Sequence, residues 1–136
     1  MAIVIDANIL TAFVVKHELS QIAQKFRHQT GVVLPSIAFV ETANAVRKYV
    51  RLGRANLQQL LDVKMFLSGY ASEIISDTDL LVDASQLAIE LEHSIYDCLY
   101  LALARTRSCK LVTADKRMAN ISKSIAIPTQ LLTATP

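Results

Sequence analysis

The chain opens on Ala2-Ile3-Val4-Ile5-Asp6, four apolar residues followed at once by an acid. A short unbroken apolar run reads as a strand buried on both faces, as strands are in parallel sheets. Similar short runs recur at wide spacing: Val32-Val33-Leu34, Glu73-Ile74-Ile75-Ser76 and Lys110-Leu111-Val112-Thr113. Ile125-Ala126-Ile127, ahead of Pro128, is a candidate fifth strand. Between these runs the apolar residues fall at helical spacing. Leu19, Ile22, Ala23 and Phe26 predict a helix over about 18–29, closed by Gly31. Pro35 stops the second strand, and Ser36 is placed to cap a helix over about 37–52 that Gly53 ends. A helix over about 55–68 carries Leu57, Leu60, Leu61 and Leu67, and Gly69 breaks it. Leu80, Ala84, Leu87, Ala88 and Leu91 predict a helix over about 80–92, and a Leu/Ala-rich helix follows over about 95–107. Residues 114–120 read as a loop into a short helix, and 129–136 as a weakly structured tail. Strands alternating with helices imply an α/β sandwich around a mostly parallel sheet. No repeat or linker divides residues 1–136, which read as one domain.

Composition narrows the classes further. Apolar residues make up 52% and charged residues 19% of the 136, which suits a packed core and not a disordered chain. A net charge of +2 is too small to imply a nucleic-acid partner by itself. Cys98 and Cys109 flank apolar stretches outside any CxxC pattern and read as reduced, partly buried thiols. No basic segment precedes an apolar leader, and the apolar runs are too short or too interrupted to span a bilayer. A soluble cytoplasmic protein, away from membranes, is therefore expected. His17, His28 and His93 lie far apart without metal-ligand spacing, so zinc is not expected. Tyr96 and Tyr100, at i and i+4, read as core or interface.

Four acids stand out by position. Asp6 ends the first strand, and Asp115 follows the fourth after one residue. Ligands of open α/β sheets bind outside the carboxyl ends of the strands. Glu41 lies one turn into the helix after strand two, among Phe39, Val40 and Ala43, and Asp97 lies in the first turn of the Leu/Ala-rich helix. With right-handed crossovers, both helices begin at that same edge. Four carboxylates meeting there would repel one another and call for hard divalent cations. Each Asp also has a purely structural explanation. Asp115 fits an N-cap for a helix starting at Lys116, Asp97 a capping box with Ser94, and Asp6 an Asx turn. Glu41 has none as simple, because an acid on an apolar helix face is costly unless paired.

The segments Ile3-Val4-Ile5-Asp6-Ala7-Asn8, Val40-Glu41-Thr42-Ala43-Asn44-Ala45, Ile95-Tyr96-Asp97-Cys98-Leu99-Tyr100-Leu101-Ala102-Leu103-Ala104 and Leu111-Val112-Thr113-Ala114-Asp115-Lys116-Arg117 resemble, in order, the four acidic motifs of PIN domains. They are similar in particular to the VapC-type toxins of toxin–antitoxin modules, over residues 3 to about 127. The resemblance implies an α/β/α sandwich with a five-stranded sheet of order 3-2-1-4-5, which sets strands one and four side by side. It also implies a Mg²⁺- or Mn²⁺-dependent endoribonuclease, leaving a 5′-phosphate and a 3′-hydroxyl, with a homodimeric state and a cognate antitoxin.

On this reading Asp6, Asp97 and Asp115 ligate the metal, and Glu41 binds it directly or through water. Asn8 and Thr113 are placed to orient Asp6, Asp115 or a metal-bound water, although turn chemistry and strand propensity also explain them. Lys116 and Arg117, beside Asp115, and Arg47 and Arg51, further along the Glu41 helix, are candidate RNA contacts. A charge cluster on a helix is also simply a solvated face. Rival readings are a PIN-fold RNA-processing nuclease without an antitoxin, and a non-catalytic nucleic-acid- or protein-binding module. A phosphohydrolase of another α/β fold fits less well, since Asp6-Ala7-Asn8-Ile9-Leu10 lacks the second acid and the threonine of the DxDxT pattern.

Overall fold

A computed structural model describes residues 1–134. Five strands, β1 (Ile3–Ile5), β2 (Val32–Pro35), β3 (Glu73–Ile75), β4 (Lys110–Thr113) and β5 (Thr129–Leu131), form one sheet of order β3-β2-β1-β4-β5. Every pairing is parallel. β1 is central. Val4 lies opposite Val33 on one side and Leu111 on the other, and all three residues of β1 are buried. This is the expected architecture and the expected strand order.

Helices cover both faces: α1 (Ala7–Val14), α2 (Ser20–Ala23), α3 (Ile37–Arg51), α4 (Leu57–Leu61), α5 (Val63–Tyr70), α6 (Asp77–Leu91), α7 (Ile95–Thr106) and α8 (Lys116–Ser124). α7 is the core helix. Its residues Cys98 to Ala104 are all buried, which its Leu/Ala content permits because apolar side chains around the helix can pack against protein on every face. Cys98 and Cys109 are buried free thiols, as expected.

Several boundaries differ from the sequence reading. α1 follows β1 with no warning, because Ala7, Ile9, Leu10, Thr11 and Ala12 are all buried and a helix wrapped by protein carries no polar stripe. The helix expected over 18–29 is one short turn, α2, continued by a 3-10 turn at Gln24–Phe26. The helix expected over 55–68 is split at Asp62 into α4 and α5, and Gly69 lies inside α5 instead of breaking it. It is exposed near the helix end, where the missing side chain costs little. The fifth strand is not Ile125-Ala126-Ile127, which turns through Ala126 at φ 62°. It is Thr129–Leu131, in the stretch expected to be loose. Pro128 offers its carbonyl to Leu111 N–H at 2.8 Å and needs no donor of its own there. A half-exposed Thr-Gln-Leu edge strand has no apolar run to announce it. Gly31, at φ 70°, is required where it stands, since a Cβ there would collide with the Met1 carbonyl.

Candidate active site

Because all five strands are parallel, their carboxyl ends share one edge, and α1, α3, α6 and α8 begin there. Asp6 sits at the centre of that edge, only 7% exposed. Its Oδ1 accepts from the Ala7 N–H at 2.8 Å, capping α1 as the structural explanation required. Its Oδ2 accepts from the Thr113 hydroxyl at 2.7 Å and from Asn8 Nδ2 at 3.3 Å. Asn8 Oδ1 accepts from Ala114 N–H at 3.2 Å, and Thr113 Oγ1 accepts from Asp115 N–H at 3.0 Å. Asn8 and Thr113 thus tie the ends of β1 and β4 to Asp6 and to the loop that carries Asp115.

Burial pushes the Asp6 carboxyl up to about 7. The Thr113 and Ala7 hydrogen bonds oppose this rise, and the charges of Asp97 and Glu41 add to it. Glu41 is raised as well, first by burial and then by Asp97 and Asp77, against a lowering hydrogen bond from Tyr100. Asp6, Glu41 and Asp97 therefore form one electrostatically coupled group. Asp97 Oδ2 is bound to His93 Nε2 at 2.8 Å. The Ser94–Asp97 capping box does not form. Ser94 Oγ accepts from Tyr96 N–H, and Asp97 turns back to His93 instead.

Asp115 stands apart from the other three. It is exposed, and its Oδ1 caps α8 by accepting from Arg117 and Met118 N–H at 2.9 and 3.2 Å. Its link to Asp6 runs through Thr113. The structural explanation of Asp115 is therefore correct for one oxygen and leaves the other free of hydrogen bonds among the described residues. Lys116 and Arg117 are exposed in the first turn of α8, close to this edge. Arg47 and Arg51 are exposed on α3 but turned away from Glu41 by roughly 120° and 80°, at ~100° per residue. Lys48, seven residues on, shares Glu41's face. Ser36 does not cap α3 with its side chain. Its Oγ accepts from Asp77 N–H at 3.0 Å, while Asp77 Oδ1 accepts from Ile37 N–H at 3.0 Å. Asp77 thus supplies the cap that Ser36 was expected to give.

Three residues at the site are not assigned to it by the sequence: Tyr100 reads as core or interface, His93 as a lone histidine, and Asp77 carries no reading. Tyr100, fully buried, donates its hydroxyl to Glu41 Oε1 at 2.8 Å. Burial first, then the carboxylates around it, holds its phenol well above the ordinary value, so it remains a donor. His93 binds Asp97, and Asp77 locks the start of α3. The spacing Asp97-x-x-Tyr100 placed both on one helical face and was the available signal for Tyr100. Asp77 follows β3 as closely as Asp115 follows β4, which was the signal for Asp77.

The donor set is all oxygen and anionic. Among the described residues no lysine or arginine pairs with any of the four acids, the ion pairs being His93–Asp97 and Arg107–Glu73. That chemistry fits a hard divalent cation. As the side chains stand, no three of the described acids, histidines or cysteines converge closely enough to enclose an ion. No described helix is long and apolar enough to cross a membrane.

The PIN domain family profile matches residues 3–124. Ribonuclease VapC3 of Pyrobaculum aerophilum is 28% identical over 131 residues, which is 94% of this chain and all of that protein. The crystal structure of PAE2754 from Pyrobaculum aerophilum superposes with a TM-score of 0.72 at 24% identity, covering 95% of this chain and 83% of that one. A toxin–antitoxin complex from Klebsiella pneumoniae superposes with a TM-score of 0.61 at 22% identity, covering 85% and 88% respectively. Both superpositions establish a shared fold.

Proposed function

The chain belongs to the PIN domain family, and from that premise we propose that it is a single-domain, metal-dependent endoribonuclease acting as the toxin of a toxin–antitoxin pair. One observation carries the proposal. A buried carboxylate, Asp6, is held at the carboxyl edge of a parallel sheet against the charges of Glu41 and Asp97, and among the described residues no lysine or arginine pairs with any of the three. Such a cluster is costly to keep unless it binds something cationic. The likeness to a protein named Ribonuclease VapC3 supports RNA as the substrate.

Asp6, Asp97 and Asp115 would hold Mg²⁺ or Mn²⁺, with Glu41 directly or through a water. When bound, the ion supplies charge neutralisation and lowers the pKa of a water for attack on phosphorus. The rest is done by the chain's own groups. Thr113 and Asn8 fix Asp6 Oδ2, so the carboxylate presents the same oxygens at every turnover. Tyr100 holds Glu41 in one orientation and favours its charged form. His93 steadies Asp97. Lys116 and Arg117, on the same edge, would meet the RNA backbone.

An antitoxin would seat an apolar helix in the groove between α3 and α4–α5, which is lined by Phe39, Val40, Leu60, Leu61, Val63 and Ile74 and has a volume of about 770 Å³. Val40 and Ala43 in its lining put this groove next to Glu41. The solved structural relative described as a toxin–antitoxin complex supports such a partner. Exposed Leu81, Val82 and Ile89 on α6 offer an apolar surface for a homodimer. Such a toxin would act in the cytoplasm, where its RNA substrates are. The experiment is expression of the chain alone and together with a neighbouring small gene, alongside cleavage of total RNA by the purified protein in Mg²⁺ and in chelator. Growth arrest relieved by the partner, with cleavage only in Mg²⁺, is expected. Cleavage without toxicity would leave an RNA-processing nuclease, and RNA binding without cleavage a non-catalytic module.

A further inference from the structure

A second cleft opens from the site between α1 and α3, with a volume of about 230 Å³, lined in part by Asn8, Thr11, His17, Glu18, Lys48 and Tyr49. Asn8 belongs to both places, since its amide also holds Asp6. α3 connects them. Lys48 and Tyr49 lie seven and eight residues beyond Glu41, about two turns along, so roughly 10–12 Å from it at 1.5 Å per residue. The far wall is aromatic. The His17 and Tyr49 rings stack with centroids 5.6 Å apart and planes 12° from parallel, and the Arg54 guanidinium stands 5.3 Å from the Tyr49 ring centre.

The wall is also preformed. Leu19 N–H donates to His17 Nδ1 at 3.1 Å, so the ring's free donor is Nε2. His17 N–H donates to Ser20 Oγ at 2.9 Å, and that hydroxyl reaches the carbonyls of Ala12 and Val15 at 3.2 Å each. A loop tied at both ends presents its ring without an ordering cost on binding.

We propose that this cleft is a nucleotide subsite, which holds a base of single-stranded RNA against the His17–Tyr49 pair with its phosphate at Lys48, one to two nucleotides along the strand from the bond to be cut. The proposal rests on the ribonuclease reading of the acid cluster. Stacking on aromatic rings is how single strands are held without sequence preference. The cleft is smaller than the ~300–1,000 Å³ of a pocket for a whole small molecule, so it seats one ring system and not a longer segment. Glu18 on the α1 side repels a phosphate there, which leaves the Lys48 side for the backbone. Arg47 and Arg51 do not line it.

The test is fluorescence anisotropy of a labelled short oligoadenylate bound to the full chain in chelator, where no cleavage intervenes, at several salt concentrations. Tyr49→Leu should weaken binding at least fivefold, and Tyr49→Phe should restore it to within twofold of wild type. Lys48→Ala should lower the slope of log affinity against log salt by about 0.7, the share of one phosphate contact on a single strand. Lys123→Ala, which removes an equal charge at the far end of α8, should leave the slope unchanged. Lys48 is exposed, so its variant reports binding even if Tyr49→Leu fails to fold. The subsite is overturned if wild type binds no oligoadenylate, if Lys48→Ala keeps the full slope, or if Tyr49→Phe binds as weakly as folded Tyr49→Leu. Failure of the ribonuclease reading shows separately, as absence of Mg²⁺- or Mn²⁺-dependent cleavage by a wild-type protein that still binds.

Discussion

Thr113 donates its hydroxyl to Oδ2 of Asp6 at 2.7 Å, joining the ends of the neighbouring strands β4 and β1. The same hydroxyl oxygen accepts from Asp115 N–H at 3.0 Å, so one threonine places two of the acids. Thr113→Val keeps the shape and the strand preference and deletes both bonds. Mg²⁺ affinity measured by activity titration should fall about 10–100-fold, the usual effect of losing a group that orients a metal ligand. Unchanged Mg²⁺ dependence would show that Asp6 does not need this partner.

The Asp6 carboxyl, ordinarily 3.8, is held at about 7 in the fold. Between those values the folded chain keeps a proton that the unfolded chain has released. Stability of the metal-free protein therefore falls as pH rises from about 4 to about 7, and levels off above that. The full change is on the order of 4 kcal/mol for this group alone. Glu41, also raised, adds a fall in the same direction. Urea midpoints in chelator should decline across this window and should be flatter for Asp6→Asn. A wild-type midpoint that climbs steadily through the window would mean that other groups dominate the titration.

Tyr100 lowers the Glu41 carboxyl by donating to it, against burial and two neighbouring acids. Tyr100→Phe removes that donor with little change of volume. Glu41 then rises further, and the acid limb of the pH–activity profile should move to higher pH with little change in substrate KM. A shift in KM alone, with the profile fixed, would mean that Tyr100 acts on RNA and not on Glu41.

Much of the site was legible because the sheet is parallel. Apolar runs that end in Asp6 or just before Asp115 place those acids on one edge whatever the connecting helices do, and the strand order followed from the family motifs. The illegible parts have physical reasons. α1 is buried almost all round and so showed no amphipathic period. β5 is a half-exposed edge strand without an apolar run. Tyr100 read as core because it is core. That its hydroxyl ends on Glu41 depends on the packing of α7 against α3, which pattern does not record. Asp115 is the mixed case, since its capping role and its edge position were both readable and both are present.

Asp77 and Ser36 close the start of α3 reciprocally, Asp77 Oδ1 taking Ile37 N–H and Ser36 Oγ taking Asp77 N–H. Asp77→Ala should cost ~1 kcal/mol, as loss of a helix cap does, and should misplace Glu41. Asp77→Asn keeps an acceptor and should recover most of that stability in thermal melts. It also removes a charge that raises Glu41, so Glu41 should titrate lower than in wild type. Equal melting of the Ala variant and wild type would show that the cap is dispensable.

Asp6, Glu41, Asp97 and Asp115 are proposed to act together on RNA with a divalent cation. Cleavage of a single-stranded RNA by the purified chain, in Mg²⁺ or Mn²⁺ and in chelator, tests it with Asp6→Asn, Asp97→Asn and Asp115→Asn compared at equal folded concentration. Wild type should cleave only with the cation, and each variant should lose ~10²-fold or more with the fold retained. Wild-type rates in all three variants, or equal cleavage in chelator, would rule out that joint role.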